Sequence, residues 1–310
     1  MVGYGAARYA LASGNCNEAE KLWPLIEWCL EYCHRQLNAD GVVKSDSDEL
    51  ENRFPAGKAN LCTSSLYYDA LVSAAYLGKA LKKEHKQIKS YQDRAAELYK
   101  NIDAYFARNV EGYDTYRYYD GNTVLRSWIC IPLTMGIYDQ AKGTVEALFS
   151  DKLWMENGLL TQSGTSTYWD RSTLYAFRGA YSCGARDIAT EYLDKYSATR
   201  LLGDHVPYAV EAWPEGNQRH LSTESALYCR IMTEGLFGIR PIALDAFMMT
   251  PQLPESWNTM SLKRICAFGS IFDIEVKRDK DDKLLVLIKK DHKIVKRSKI
   301  TNGKPIEVRI

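Results

Sequence analysis

At 310 residues the chain has room for one large core, or for a core with a small appended module. Its 46% hydrophobic and 25% charged residues are those of an ordinary globular protein and point neither to global disorder nor to a membrane-embedded chain. With 40 Lys and Arg against 39 Asp and Glu, the net charge of +1 lacks the broad positive field that nucleic-acid binding needs, so a neutral partner fits better.

From the start to about residue 240, apolar residues recur at three- and four-residue spacing in blocks separated by short polar or glycine-containing connections, which predicts paired helices. A short helix precedes Gly14. Asn15, with Glu18 three residues on, predicts a capped start for the stripe Leu22, Leu25, Ile26, Cys29, Leu30, Cys33 and Leu37, and Pro24 should kink or delay that helix. Similar stripes run through Leu66, Ala70, Leu71, Ala74 and Leu77, then Tyr91, Ala95, Leu98, Ile102, Tyr105 and Phe106. Further helices are expected over 123–136, 138–150, 172–184, 186–199 and 221–237, nine in all, with few strands among them. Eight scattered cysteines sit mostly in apolar helical stretches and read as buried thiols. Cys29, Cys33 and His34 lack a second ligand pair at structural-zinc spacing, so no metal and no cofactor is expected.

Beyond Pro241 the pattern switches to period two, in 271–276, 284–288, 294–295 and 306–310, with turns at 279–282 and at Asn302-Gly303. This predicts a helical domain over 1–243 and a small antiparallel β module over 244–310. Lys289, Lys290, Lys296 and Arg297 read as a solvated strand edge. No apolar run reaches membrane-span length and no secretion signal is visible, so the chain is expected to bind no membrane, while the location of a longer parent stays open.

Helical hairpins in series allow a solenoid or a closed toroid, and periodicity does not choose between them. Function concentrates where the connections are long. Two such stretches, Ser45–Phe54 and Tyr208–Gly216, crowd carboxylates, aromatics and turn-formers. Together they offer the two carboxyl groups that glycosidic cleavage needs, one to protonate the leaving oxygen and one to activate water. The 21 Tyr and 7 Trp supply flat faces for sugars, although most aromatics serve the core.

The run Ser47-Asp48-Glu49-Leu50-Glu51-Asn52-Arg53-Phe54, followed by Asn60-Leu61 and Tyr67-Tyr68, resembles the general-acid loop of six-hairpin (α/α)6-toroid glycosidases, above all glycoside hydrolase family 63 with its trehalase and debranching-enzyme relatives. Tyr168-Trp169 resembles that family's Tyr-Trp-Arg-Gly segment, Glu211-Ala212-Trp213-Pro214 its base loop, and Phe247–Pro254 with Trp257 its closing tail. Two departures stand out: Asp170-Arg171 replaces Arg-Gly, and the toroid has twelve helices where nine are counted. The chain thus looks like the C-terminal part of such a protein, with a missing N-terminal segment or a partner chain completing the ring.

The resemblance implies an inverting, exo-acting glycosidase on an α-linked oligosaccharide, with Glu49 as acid and Glu211 as base. Asp48 and Glu215 are the alternatives for these roles, and Arg53, Trp169, Trp213, Tyr208 and Tyr168 would bind substrate. Read without the family, the acidic loop has like charges available to keep a proton on Glu49, or is a solvated loop with Asp48 capping a turn. Glu211, between apolar Val210 and Ala212, is a costly place for an idle carboxylate. Trp128 reads as packing between helices. Two rival readings remain: a sugar epimerase or uronyl hydrolase, the former with His205 and His220 as an acid/base pair, and a carbohydrate-binding or assembly module without turnover.

Overall fold

The computed structural model describes residues 1–48, 54–202, 212–213 and 222–310. Among these the chain is mainly helical, with a smaller part built of strands. The helices are α1 Val2–Ser13, α2 Cys16–Arg35, α3 Leu61–Ala80, α4 His85–Phe106, α5 Ile131–Met135, α6 Ala141–Leu148, α7 Asp170–Ser182, α8 Arg186–Arg200 and α9 Ser222–Arg230. The strands are β1 Ala107–Val110, β2 Tyr113–Tyr116, β3 Trp154–Met155, β4 Gly158–Leu159, β5 Tyr168–Trp169, β6 Ala212–Trp213, β7 Arg240–Ala243, β8 Ala246–Met249, β9 Thr259–Ala267, β10 Ser270–Arg278, β11 Leu284–Lys290, β12 Lys293–Ile300 and β13 Ile306–Arg309. No helix among the described residues is long and apolar enough to cross a membrane.

Contacts divide the chain into two compact units, one of Met1–Tyr32, Asp69–Ala95 and Leu236–Ile310, the other of Cys33–Tyr68 and Ala96–Gly235. In the first, Asn15 caps α2 as its sequence predicts: its Oδ1 accepts from the backbone N–H groups of Asn17 at 3.0 Å and Glu18 at 3.2 Å. The helix then continues through Pro24, which supplies no N–H of its own. Gly14 ends α1 in a left-handed conformation, and a Cβ there would stand 2.2 Å from the backbone nitrogen of Gly269. Only glycine lets the chain approach closely enough for the N–H of Phe268 to reach the carbonyl of Ala12 at 2.6 Å.

The period-two segments form an antiparallel sheet in the order β12-β11-β10-β9, with β13-β8-β7 as a second sheet. In β11, Leu284, Val286 and Ile288 are buried on one face, opposite Arg278, Val276 and Ile274 of β10. β12, which carries Lys296 and Arg297, lies at the sheet edge and is mostly exposed, and charge on such an edge opposes strand addition. Phe247, Phe268 and Phe272 stack beneath, with ring centroids 5.0–6.3 Å apart.

The second unit is built around α7, most of whose residues are buried. Gly179 lets α7 lie close to α5, where a Cβ would meet that of Leu133 at 2.8 Å. Two departures from the sequence reading occur here. A hairpin, β1 and β2, follows α4 through the two-residue turn Glu111-Gly112, both at positive φ (51° and 97°). The helix expected over 123–136 is cut short: Arg126 is extended, Ser127–Cys130 forms a 3-10 turn and only Ile131–Met135 is α-helical. Pro132 explains the start, because it fits the first turn of a helix but in a continuous one would clash with the carbonyl of residue 128. α9 runs on through a π turn over Ile231–Leu236.

Candidate active site

Glu49, Arg53, Tyr208, Glu211 and Glu215, with His205 and His220, lie outside the described residues. Asp48, Phe54, Tyr168 and Trp169 are described, as is the strand β6 that carries Trp213. All belong to the second unit.

The stretch leading to Asp48 is laid along residues 58–60 by strand-like pairing. Lys44 bridges Ala59, Ser45 N–H donates to the carbonyl of Lys58 at 2.9 Å, and the buried Asn60 side chain donates to the carbonyl of Ser47 at 3.1 Å. Asn60 in turn bridges Tyr119, and Leu61 N–H donates to the carbonyl of Tyr118 at 2.9 Å. This ladder sets the Asp48 carboxylate opposite the phenol of Tyr118 and within electrostatic reach of Arg126. Burial pushes the Tyr118 phenol well above its ordinary pKa, with Cys62 and Asp48 adding to it, so Tyr118 stays a hydroxyl.

Arg126 was not singled out by sequence reasoning. Its guanidinium carbon stands 5.0 Å from the ring centroid of Tyr118, 5.3 Å from Phe54 and 5.5 Å from Tyr119. The side chain is 1% exposed, and its Nε and Nη1 have no hydrogen-bond partner among the described residues. Three cation–π contacts contribute roughly 0.5–2 kcal/mol each. Each buried N–H without an acceptor costs about 1–3 kcal/mol. The terms are of similar size, so the rings by themselves do not make this burial favourable. Burial also pulls the Arg126 pKa below its ordinary value, against Tyr118, Tyr119 and Asp48. The sequence signal was a lone charge inside the apolar run Leu125-Arg126-Ser127-Trp128-Ile129.

The backbone beneath Arg126 is pinned on both sides. It bridges Gln162, Ser127 N–H donates to the carbonyl of Thr161 at 3.2 Å, and Ser163 N–H donates to that of Leu125 at 2.9 Å. Leu125 N–H donates to the Glu111 carboxylate at 2.7 Å, which also accepts from Ser163 Oγ at 3.1 Å and Lys152 Nζ at 3.3 Å. Burial pushes the Glu111 pKa up, but these donors outweigh it and hold the carboxyl below its ordinary value. A depressed carboxylate stabilises the fold above its unfolded pKa and loses that contribution as pH falls toward the folded value. Glu111→Gln should therefore lower unfolding free energy by about 1–2 kcal/mol at pH 7. Wild type and variant should converge as the pH falls below 4.5, as read by urea titrations at successive pH values. Parallel pH curves would contradict this role.

Two residues on from Arg126, Trp128 is buried as an inter-element packing residue, its ring 4.6 Å from that of Trp169 and 5.5 Å from that of Tyr175. Trp169 pairs with Ala212, and Tyr168 with Trp213, in the antiparallel ladder of β5 and β6. Trp169 is itself buried, with the Arg171 guanidinium 5.5 Å from its ring centroid. Arg171 donates to the fully buried Glu224 carboxylate at 2.7 Å, tying the start of α7 to α9. Asp170 pairs inward with Arg200, as Arg171 does with Glu224.

No protein-family profile matches the sequence, and no curated protein matches it. Solved glycoside hydrolases share its fold. A sialidase superposes with a TM-score of 0.71 at 15% identity, over 98% of this chain and 32% of its own. The GH78 family rhamnosidase of Bacillus sp. GL1 gives 0.58 at 13% identity, over 91% of this chain and 29% of its own. The α-L-rhamnosidase from Dictyoglumus thermophilum gives 0.53 at 12% identity, over 96% of this chain and 37% of its own. The chain therefore has a glycosidase-like fold and spans about a third of the length of these structures.

Proposed function

We propose that the chain is the catalytic part of an inverting glycosidase of the (α/α)6-toroid kind, related to glycoside hydrolase family 63, acting on an α-linked oligosaccharide. Residues 1–243 would form its helical domain and 244–310 its β module. A preceding segment or a partner chain would supply the remaining helices of the ring. In this reading Glu49 protonates the leaving oxygen and Glu211 activates the attacking water, with Arg53, Tyr168, Trp169, Tyr208 and Trp213 holding the sugar. Asp48 and Glu215 are the alternatives for the two carboxyl roles.

One observation carries the proposal beyond the shared fold. Asp48 faces Tyr118 and Arg126, Arg126 shares a turn with Trp128, Trp128 packs on Trp169, and Trp169 pairs with Ala212. An unbroken series of contacts thus leads from the neighbour of Glu49 to the neighbour of Glu211, which supports a shared pocket for residues far apart in sequence.

The test measures hydrolysis of aryl α-glucosides, α-mannosides and α-rhamnosides, with the first-formed anomer read by proton NMR. Inversion predicts the β-sugar from an α-glycoside. Glu49→Gln and Glu211→Gln should each lower kcat about 10²–10⁴-fold. An activated dinitrophenyl leaving group needs no protonation, so it should restore the acid variant and leave the base variant slow. Asp48→Asn in parallel identifies which carboxyl donates the proton. Retained α-configuration, or sugar binding by wild type with no release from any substrate, would overturn the proposal, the latter in favour of a binding module.

A further inference from the structure

We propose that Arg126 is a ligand-binding residue, donating its Nε and Nη1 hydrogens to acceptor oxygens of a saccharide held beside Phe54, Tyr118 and Tyr119. The inference rests on the glycosidase reading only in taking the ligand to be a sugar.

The reason lies in how the other buried arginines differ. Arg200 donates to Asp170 at 3.1 Å and to the carbonyl of Asn157 at 3.0 Å, and Arg178 pairs with Glu234 at 3.1 Å and donates to the carbonyl of Thr134 at 3.3 Å. Each pairs with a carboxylate and a backbone carbonyl. Arg126 is equally buried, yet two of its donors meet no acceptor among the described residues, and what surrounds it is aromatic. Rings beside a planar guanidinium hold it in place without using its N–H groups. The backbone is fixed by Gln162, Thr161 and Ser163, so the side chain is pre-positioned and gives up little freedom on binding. Asp48 and Phe54, both set against Arg126, are the sequence neighbours of the stretch that holds Glu49 and Arg53. Hydroxyl oxygens of a neutral sugar and the carboxylate of a uronate offer the same acceptor chemistry, and the test separates them.

The full chain, labelled with nitrogen-15, is titrated with L-rhamnose, D-glucose and D-glucuronate while the arginine Nε–H resonances are followed. That of Arg126 is assigned by its loss in Arg126→Lys and, should that variant fail to fold, by the ring-current shift in Phe54→Leu. The expected result is a saturating shift of the Arg126 resonance with at least one sugar, and binding weakened about tenfold in Arg126→Lys, as for loss of a charged hydrogen bond. A response to glucuronate alone identifies an acidic sugar, and a response to rhamnose or glucose a neutral one. Sugar binding seen by tryptophan fluorescence with the Arg126 resonance unmoved, an unchanged Kd in Arg126→Lys, or no binding of any sugar would overturn the inference. Turnover with an unmoved Arg126 signal refutes this inference and spares the glycosidase proposal. A moved signal without turnover does the reverse.

Discussion

Arg200→Ala is expected to lower the unfolding free energy by about 3–5 kcal/mol, the range for removing one partner of a buried ion pair. Arg200 and Asp170 are 2% and 1% exposed and meet at 3.1 Å, and Arg200 also donates to the carbonyl of Asn157. Asp170 opens α7, where a negative charge is favourable against the helix dipole, so removing its cation leaves a carboxylate that water cannot reach. Tyr196, pushed well above its ordinary pKa by burial and then by Asp170, stays neutral and cannot replace the cation. For a chain of this size the loss corresponds to a fall in Tm of about 5–8 °C. Differential scanning calorimetry checks it, with a double-mutant cycle through Asp170→Asn to isolate the pair. Additive single effects would show that the ion pair is not the source.

Asp69→Ala is expected to cost about as much, at the upper end of the same range, because one fully buried carboxylate serves two arginines. Arg8 on α1 donates through Nε to Oδ2 at 3.0 Å and through Nη2 to Oδ1 at 3.4 Å, Arg240 on β7 also donates to Oδ1, and Ser73 on the same helix donates to Oδ2 at 3.3 Å. The carboxylate joins α3 to α1 and β7 within the first unit. Without it two guanidinium groups face each other. Asp69→Asn keeps the shape and loses the charge, so it should fall between wild type and Asp69→Ala, and Arg8→Met in the Asp69→Ala background should recover about 1 kcal/mol by removing the repulsion. Urea unfolding with an unchanged slope reads these differences. A milder Asp69→Ala than Asp69→Asn would refute the electrostatic account.

Much of the local structure was legible because it rests on short-range rules. The helical spacing from Leu22 and the cap at Asn15 announced α2, although its buried face is Ala19, Trp23, Ile26 and Leu30 and Leu25 is exposed, while the alternation through Leu284, Val286 and Ile288 describes β11 and its buried face. The hairpin of β1 and β2 was not legible, since its turn places Glu111, a non-glycine residue, at positive φ. What supports it is a carboxylate bonded to Leu125, Lys152 and Ser163, each many residues away. The break in the helix expected over 123–136 was signalled by Pro132, whereas the extended Arg126 before it depends on pairing with residues 161–163.

For the candidate site the division is the same. Residue types and their spacing in the sequence named the two carboxylate-bearing stretches, and periodicity named the helices and strands, because both act over a few neighbouring residues. Which of the 40 Lys and Arg would be buried, which would pair with carboxylates as Arg200 and Arg8 do, and which would sit among aromatic rings as Arg126 does was decided only by tertiary structure. A guanidinium is fixed by acceptors and rings from remote segments, and no local pattern encodes where those segments meet.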